Sequence, residues 1–355
     1  MQTSLRLTAD RSAEEYPPVS LSTKRILATE RLRAFWYRPD IRDSVLDNLI
    51  WLILAVALVA FSIIVPGFLT IPILANVLLY STFLGVMVIG ETLCLLTGNF
   101  DLSVESVLAF TAMLGAVMMT GDTSVHGLGF SPLLAVPLMV TAGAAIGLVN
   151  GVSVAKLKIN PFVVTLATMI IFRGLTVVLT QSQSVVGLPG MYAAVATTSI
   201  GPISTLVIVT AALYLVFHLL VTRTLFGRKL FAVGGNRSVS FAFGLNPDRV
   251  VIIAFVLSGA LAAIAGWFLS ARLDAAVPSM GEGMTFDVMA AAVIGGISLN
   301  GGKGSLIGAL GGVLLLGSIN TALTVALVDP WWFNVVRGVV IFVAVGLDTL
   351  KHRIR

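Results

Sequence analysis

Read for polarity alone, the chain is a succession of apolar stretches, each about 15 to 24 residues long and parted by short polar punctuation. At 1.5 Å rise per residue, about twenty helical residues cross a hydrocarbon core of ~30 Å. The stretches lack the period-two alternation of strands, and inside lipid every backbone amide must be bonded within its own segment, so they predict helices. Ten spans are predicted, at about residues 49–65, 73–96, 104–120, 133–152, 161–180, 203–221, 250–270, 285–299, 305–327 and 331–347. The expected fold class is an all-α membrane protein. It divides into a polar tail over 1–46, a membrane domain over 47–348 with a loop at 222–249, and a short tail over 349–355.

Composition supports the membrane reading. The 355 residues are 57% hydrophobic and 11% charged, against about 25% charged in soluble domains. Charge placement then assigns sides: 19 of the 22 Lys and Arg fall in the first tail, after spans four, six and eight, and in the last tail. Arg272 alone lies in an opposite loop, while Arg173 and Arg337 fall inside spans. Basic residues mark the cytoplasmic side, so both termini are expected there. The tail lacks the apolar core of a signal peptide. Its stretch KRILATERLRAFWYRP, from Lys24 to Pro39, reads as a tether or as a basic helix along the membrane surface.

The halves echo each other. Gly147-x-x-Asn150 is followed by a Val-Ala pair, a proline and Arg173-Gly174; Gly317-x-x-Asn320 is followed by the same series, ending in Arg337-Gly338. The displacement is five spans, an odd number, which predicts two inverted five-helix halves with a transport pathway at their interface.

Chemistry has few carriers. Cys94 is the single cysteine and the three histidines lie far apart, so neither a disulfide framework nor a metal cluster is predicted. The stretch GGISLNGGKGSLIGALGG (295–312) approaches a phosphate loop but fails it. A Walker motif requires G-x-x-x-x-G-K-[ST]; here Lys303 comes one place late and Gly304 stands where the hydroxyl belongs. Gly304, Gly308 and Gly312 instead recur every four residues, a helix face for close packing, either static or beside a pathway. Ionisable residues within spans are costly and therefore functional candidates: Glu91, Glu105, Arg173 and Arg337. Asp101, Ser103 and Glu105 are expected to cap the third span. Glu91 is expected either to line a pathway or to pair with Arg173 or Arg337, and Asn150 and Asn320 join the polar set.

The loop TRTLFGRKLFAVGGNRSVSFAFGLNPDRV (222–250) carries a further pattern. Gly234-Gly235 break the chain, Asn236 caps a short helix and Gly244 ends it. Set between basic anchors, that helix suits docking to a cytosolic partner.

From about span two onward the chain resembles the permease subunits of bacterial ABC importers for monosaccharides, the ribose/xylose/galactose class. The resemblance rests on LLTGNFDLSVESVLAF, NGVSVAKLKINPFVVTLATMIIFRGL, AVGGNRSVSFAFGLN and DVMAAAVIGGISLNGGKGSLIGALGG, in that order. It implies a dimeric pore made with a second permease copy or paralogue. A separate ATPase subunit would bind ATP and Mg, this chain binding no cofactor and catalysing nothing, and a periplasmic protein would deliver sugar. Placement in the bacterial inner membrane follows, with no nucleic-acid partner. Gly234, Gly235, Asn236, Arg237, Ser240, Gly244 and Asn246 would form the ATPase-coupling loop. Glu91 and Glu105 stand where many relatives are uncharged. Two alternatives therefore remain: an ion-coupled transporter using Glu91, or an ABC permease for a branched-chain amino acid, nucleoside or furanosyl signal.

Overall fold

The computed structural model describes residues 49–329 and, beyond them, Trp331, Trp332, Val335, Gly338, Val339 and Phe342. The polar tail, most of the tenth predicted span including Arg337, and the last tail lie outside the described residues. Helices dominate: α1 (Leu49–Ile64), α2 (Ile71–Leu96), α3 (Val104–Met119), α4 (Pro132–Ala155), α5 (Pro161–Thr180), α6 (Gly190–Thr197), α7 (Thr205–Arg223), α8 (Leu225–Gly235), α9 (Arg237–Ala242), α10 (Pro247–Leu273), α11 (Met284–Ile294) and α12 (Leu306–Val325). Strands among the described residues amount to two ladders of two residues per strand, Val185–Val186 with Ala275–Ala276 and Ser199–Ile200 with Ser204–Ile203.

The helix starts follow one local grammar. Ser131, Asn160 and Asn246 each accept a backbone N–H of the first turn, and each precedes a proline. The side-chain oxygen satisfies an orphan amide, and proline at the first position removes another at no cost. Ser204 caps α7 in the same way, without the proline.

Six helices, α2, α4, α5, α7, α10 and α12, are long and apolar enough to cross a membrane. Helices α1, α3 and α11 are apolar but shorter. Helices α2, α10 and α12 form the centre, while α4, α5 and α7 turn most of their apolar surface outward, the arrangement that lipid or a partner subunit requires. The segment before α3 is irregular yet buried, with Asn99, Asp101 and Ser103 all enclosed. Non-helical backbone is tolerated at membrane depth only where protein encloses it.

Two expectations are corrected. The eighth predicted span was read to residue 299, but α11 ends at Ile294, where Gly295 and Gly296 turn the chain, Gly296 with φ +91°. At 11 residues, α11 covers only about 16 Å. The four-residue glycine stripe also loses a member. Gly304, with φ +139°, lies in the turn ahead of α12. Gly308 and Gly312 do face α11: a Cβ on them would stand 2.1 Å from the Gly295 carbonyl oxygen and 2.0 Å from that of Ala291. A second seam went unread in the sequence. Gly143, Gly147 and Gly151 on α4 lie against α10, where a Cβ on Gly147 would stand 2.1 Å from the Phe255 carbonyl oxygen. Backbone contact of this kind replaces the hydrophobic drive that lipid does not supply.

Candidate functional site: a buried polar network and the 222–249 loop

The irregular segment between α2 and α3 organises the first part of the site. Glu91, wholly buried on α2, accepts the Asp101 amide through both carboxylate oxygens at 3.2 Å. Asp101 in turn accepts the amide and hydroxyl of Ser103 through Oδ1, and the Ser258 hydroxyl from α10 through Oδ2 at 3.1 Å. Asn150 on α4 donates to Ser103 Oγ at 3.0 Å and accepts Thr168 Oγ1 of α5 at 2.6 Å. Four helices, α2, α4, α5 and α10, are thereby tied to one loop, and both ends of the Asn150 amide are satisfied. Buried polar groups persist only when so paired.

A second unit lies beside it. Arg173 on α5 donates to Glu105 at 3.1 Å and to the carbonyls of Pro278 and Met280, both at 3.0 Å. The other Glu105 oxygen accepts the Thr285 amide at the head of α11. Arg173 is thus committed to Glu105, not to Glu91. The expectation of cap and dipole partners holds in part: Ser103 occupies the cap position of α3 and Glu105 lies in its first turn, but no side-chain cap bond forms. Asp101 holds the turn before the helix, and Glu105 bonds across to α5 and α11. Asn320, half-buried on α12, takes no part in either unit among the described residues; Arg337 lies outside them.

Next to these units Phe100, Phe162, Leu166, Met169, Phe286 and Met289 line a wholly apolar cavity of about 420 Å³ between α5, α11 and the irregular segment.

The loop forms the second part. Residues 225–235, read in the sequence only as basic loop, form the helix α8, capped by Thr224. Asn236 ends α8 and starts α9, its side chain accepting the Val239 amide at 2.9 Å. Gly244, at φ +80°, closes α9 by donating its amide to the Phe241 carbonyl. Ser240 faces inward and is buried, whereas Phe241 and Phe243 are 72% and 84% exposed. Arg237 and Lys158 both reach Asp248 Oδ1, at 2.6 and 2.9 Å, fastening α9 and the α4–α5 turn to the head of α10.

Three backbones meet where α8 ends. A Cβ on Gly234 would stand 1.9 Å from the Leu96 carbonyl oxygen, one on Gly302 would stand 2.6 Å from the Gly235 amide nitrogen, and one on Gly301 would stand 2.6 Å from that of Gly98. The Gly302 amide donates to the Leu96 carbonyl at 3.0 Å. This junction joins the loop helices, the end of α2 and the α11–α12 turn. Two glycines of the GGKG stretch that imitates a phosphate loop, Gly301 and Gly302, lie at this junction.

The sequence marked Asn236, Gly244 and the ionisable residues. It gave no sign of Thr168 or Ser258, whose hydroxyls matter only because folding brings them to Asn150 and Asp101.

Comparison with known proteins agrees with this architecture. The family described as "Branched-chain amino acid transport system / permease component" matches residues 73–345. The chain is 37% identical over 308 residues to the ribose import permease protein of Bacillus subtilis, covering 84% of this chain and 91% of that one. It is 34% identical over 300 residues to the D-allose transport system permease protein of Escherichia coli, covering 84% and 90%. An L-arabinose ABC transporter permease protein of Azospirillum brasilense is 32% identical over 304 residues, covering 86% and 88%. No solved structure matches. The chain belongs to this family of permease components, the multi-pass inner-membrane subunits of ABC importers, which are not themselves enzymes.

Proposed function

We propose that this chain forms the translocation pathway of a monosaccharide ABC importer and that α9 is the element through which a cytosolic ATPase subunit drives it. The observation that carries the reading is the construction of α9. It is capped at both ends and fastened by Arg237 to Asp248, and it presents Phe241 and Phe243 to solvent. Exposed aromatic anchors on a rigid short element suit insertion into a groove of a partner. ATP and Mg would be bound by that partner alone. The relatives include permeases for ribose import, D-allose transport and L-arabinose transport, which favours a small sugar handed over by a periplasmic binding protein.

In this reading ten spans form two inverted halves with cytoplasmic termini, and a second permease copy or paralogue completes the pore. Glu91, Asn150 and Arg173 act as the scaffold of the pathway, with Asn320 and Arg337 their counterparts in the second half. The apolar cavity beside Phe100 and Phe162 is a stretch of wall. A wall without polar groups gives a sugar nothing to bind tightly, as a conduit requires. Branched-chain amino acids, nucleosides and furanosyl signals remain the alternative cargoes. Ion coupling through Glu91 has less support, since both its oxygens are engaged by Asp101.

The test is ATPase stimulation. Phe241→Ala should insert normally, because the ring touches solvent, yet abolish the stimulation of the partner ATPase seen with the wild-type permease. Wild-type stimulation by Phe241→Ala and Phe243→Ala together would refute the assignment.

A further inference from the structure

Helix α7 has 19 residues and so measures about 28 Å, close to the ~30 Å of a hydrocarbon core. Leu215 and Leu219 form an exposed apolar stripe along it, and Arg223, four residues further on, is exposed at its foot. The outward side of α7 therefore ends in a cation, at the depth where lipid headgroups begin.

Helix α8 stays at this boundary. A single residue, Thr224, separates the two helices. Its hydroxyl donates to the Leu220 carbonyl at 2.6 Å and accepts the Gly227 amide at 3.3 Å. A Cβ on Gly227 would stand 1.9 Å from the Val221 carbonyl oxygen, so the first turn of α8 lies directly on the last turn of α7. Leu225, Arg228, Lys229 and Ala232 follow the i, i+3, i+4, i+7 spacing of one helix face, and all four are exposed. Leu230 and Val233 take the opposite face into the protein. Leu225, 66% exposed, is an uncovered apolar side chain on a basic face, the composition of a helix that lies in a membrane interface.

The cations of this face are also uncommitted. Asp248 is the one acidic residue between positions 222 and 249, and Arg237 and Lys158 both hold it. Arg223, Arg228 and Lys229 have no hydrogen-bond or ion-pair partner among the described residues. Three free cations beside one exposed leucine match a ligand with an anionic head and an apolar body.

We propose that Arg223, Arg228 and Lys229 hold the headgroup phosphate of an anionic phospholipid at the foot of α7, with Leu225 against its first acyl carbons. The proposal rests on α7 crossing the membrane and is independent of the cargo and of the ATPase assignment.

Native mass spectrometry of the full chain, titrated in detergent with phosphatidylglycerol or phosphatidylcholine, tests it. A basic residue near an anionic surface contributes about fivefold in affinity, so the first phosphatidylglycerol should bind about tenfold tighter, or more, than the first phosphatidylcholine. Arg228→Gln/Lys229→Gln, which removes side chains bonded to nothing and leaves the core untouched, should lose most of that preference. Lys158→Gln/Arg237→Gln removes the same charge from paired cations and should keep it. An undiminished preference in the first variant, or an equal loss in both, would overturn the proposal. If the first variant kept its lipid preference but no longer co-purified with the ATPase subunit, the face would belong to an acidic protein surface, and the proposal would fall as well.

Discussion

At the scale of single residues, the fold depends on where side chains are missing and where charges are paired. Gly147 has the Phe255 carbonyl 2.1 Å from the place a Cβ would take, whereas a Cβ on Gly174 meets nothing within 4 Å. Gly147→Ala should destabilise by about 1–3 kcal/mol or more through forced separation of α4 and α10. Gly174→Ala should be neutral or stabilising by up to ~1 kcal/mol, the helix-propensity gain. Thermal unfolding of the two variants checks the contrast. The Glu105–Arg173 pair behaves differently, because removing one partner strands the other. Arg173→Met should cost about 3–5 kcal/mol. The double variant Glu105→Gln/Arg173→Met should lose less than the two single losses together, as a double-mutant cycle in unfolding free energy would report. Glu91→Gln keeps an acceptor for the Asp101 amide, so expression and transport should both stay near wild type. Lost transport with normal expression would put Glu91 in the pathway itself.

At the scale of elements, α9 shows what a sequence states plainly. An Asn followed by a helix of six residues and then Gly244 is a local arrangement, and local hydrogen bonds form it. The same holds for the long apolar helices, whose composition alone selects lipid. The sequence was silent where an element is defined by its neighbours. Helix α8 read as loop because its basic residues masked a face that packs Leu230 and Val233 inward. Helix α11 was read five residues too long because apolar residues continue past the turn that Gly295 and Gly296 impose. The Glu91–Asp101–Asn150 network was visible only as separate polar residues, since Asn150 meets Ser103 across 47 positions of chain. Asn236→Ala removes the cap of α9 and should cost that helix about 1 kcal/mol. Stimulation of the ATPase should fall while the melting temperature of the membrane core holds; a parallel fall of both would make Asn236 a residue of general stability.

At the scale of the whole molecule, two polar systems sit on one backbone junction. The α8–α9 pair meets the end of α2 through Gly234 and Leu96, and α2 carries Glu91, which holds the irregular segment before α3. Under the proposed coupling, movement imposed on α9 would pass through this junction to the buried loop and to the apolar cavity beside it. The most direct test of this account is uptake into proteoliposomes holding the permease, its ATPase subunit and its binding protein, with labelled ribose, allose and L-arabinose as probes. Uptake of at least one sugar should require ATP and the ATPase subunit and should survive collapse of the proton gradient. Uptake that persists without the ATPase subunit and disappears with the proton gradient would contradict it.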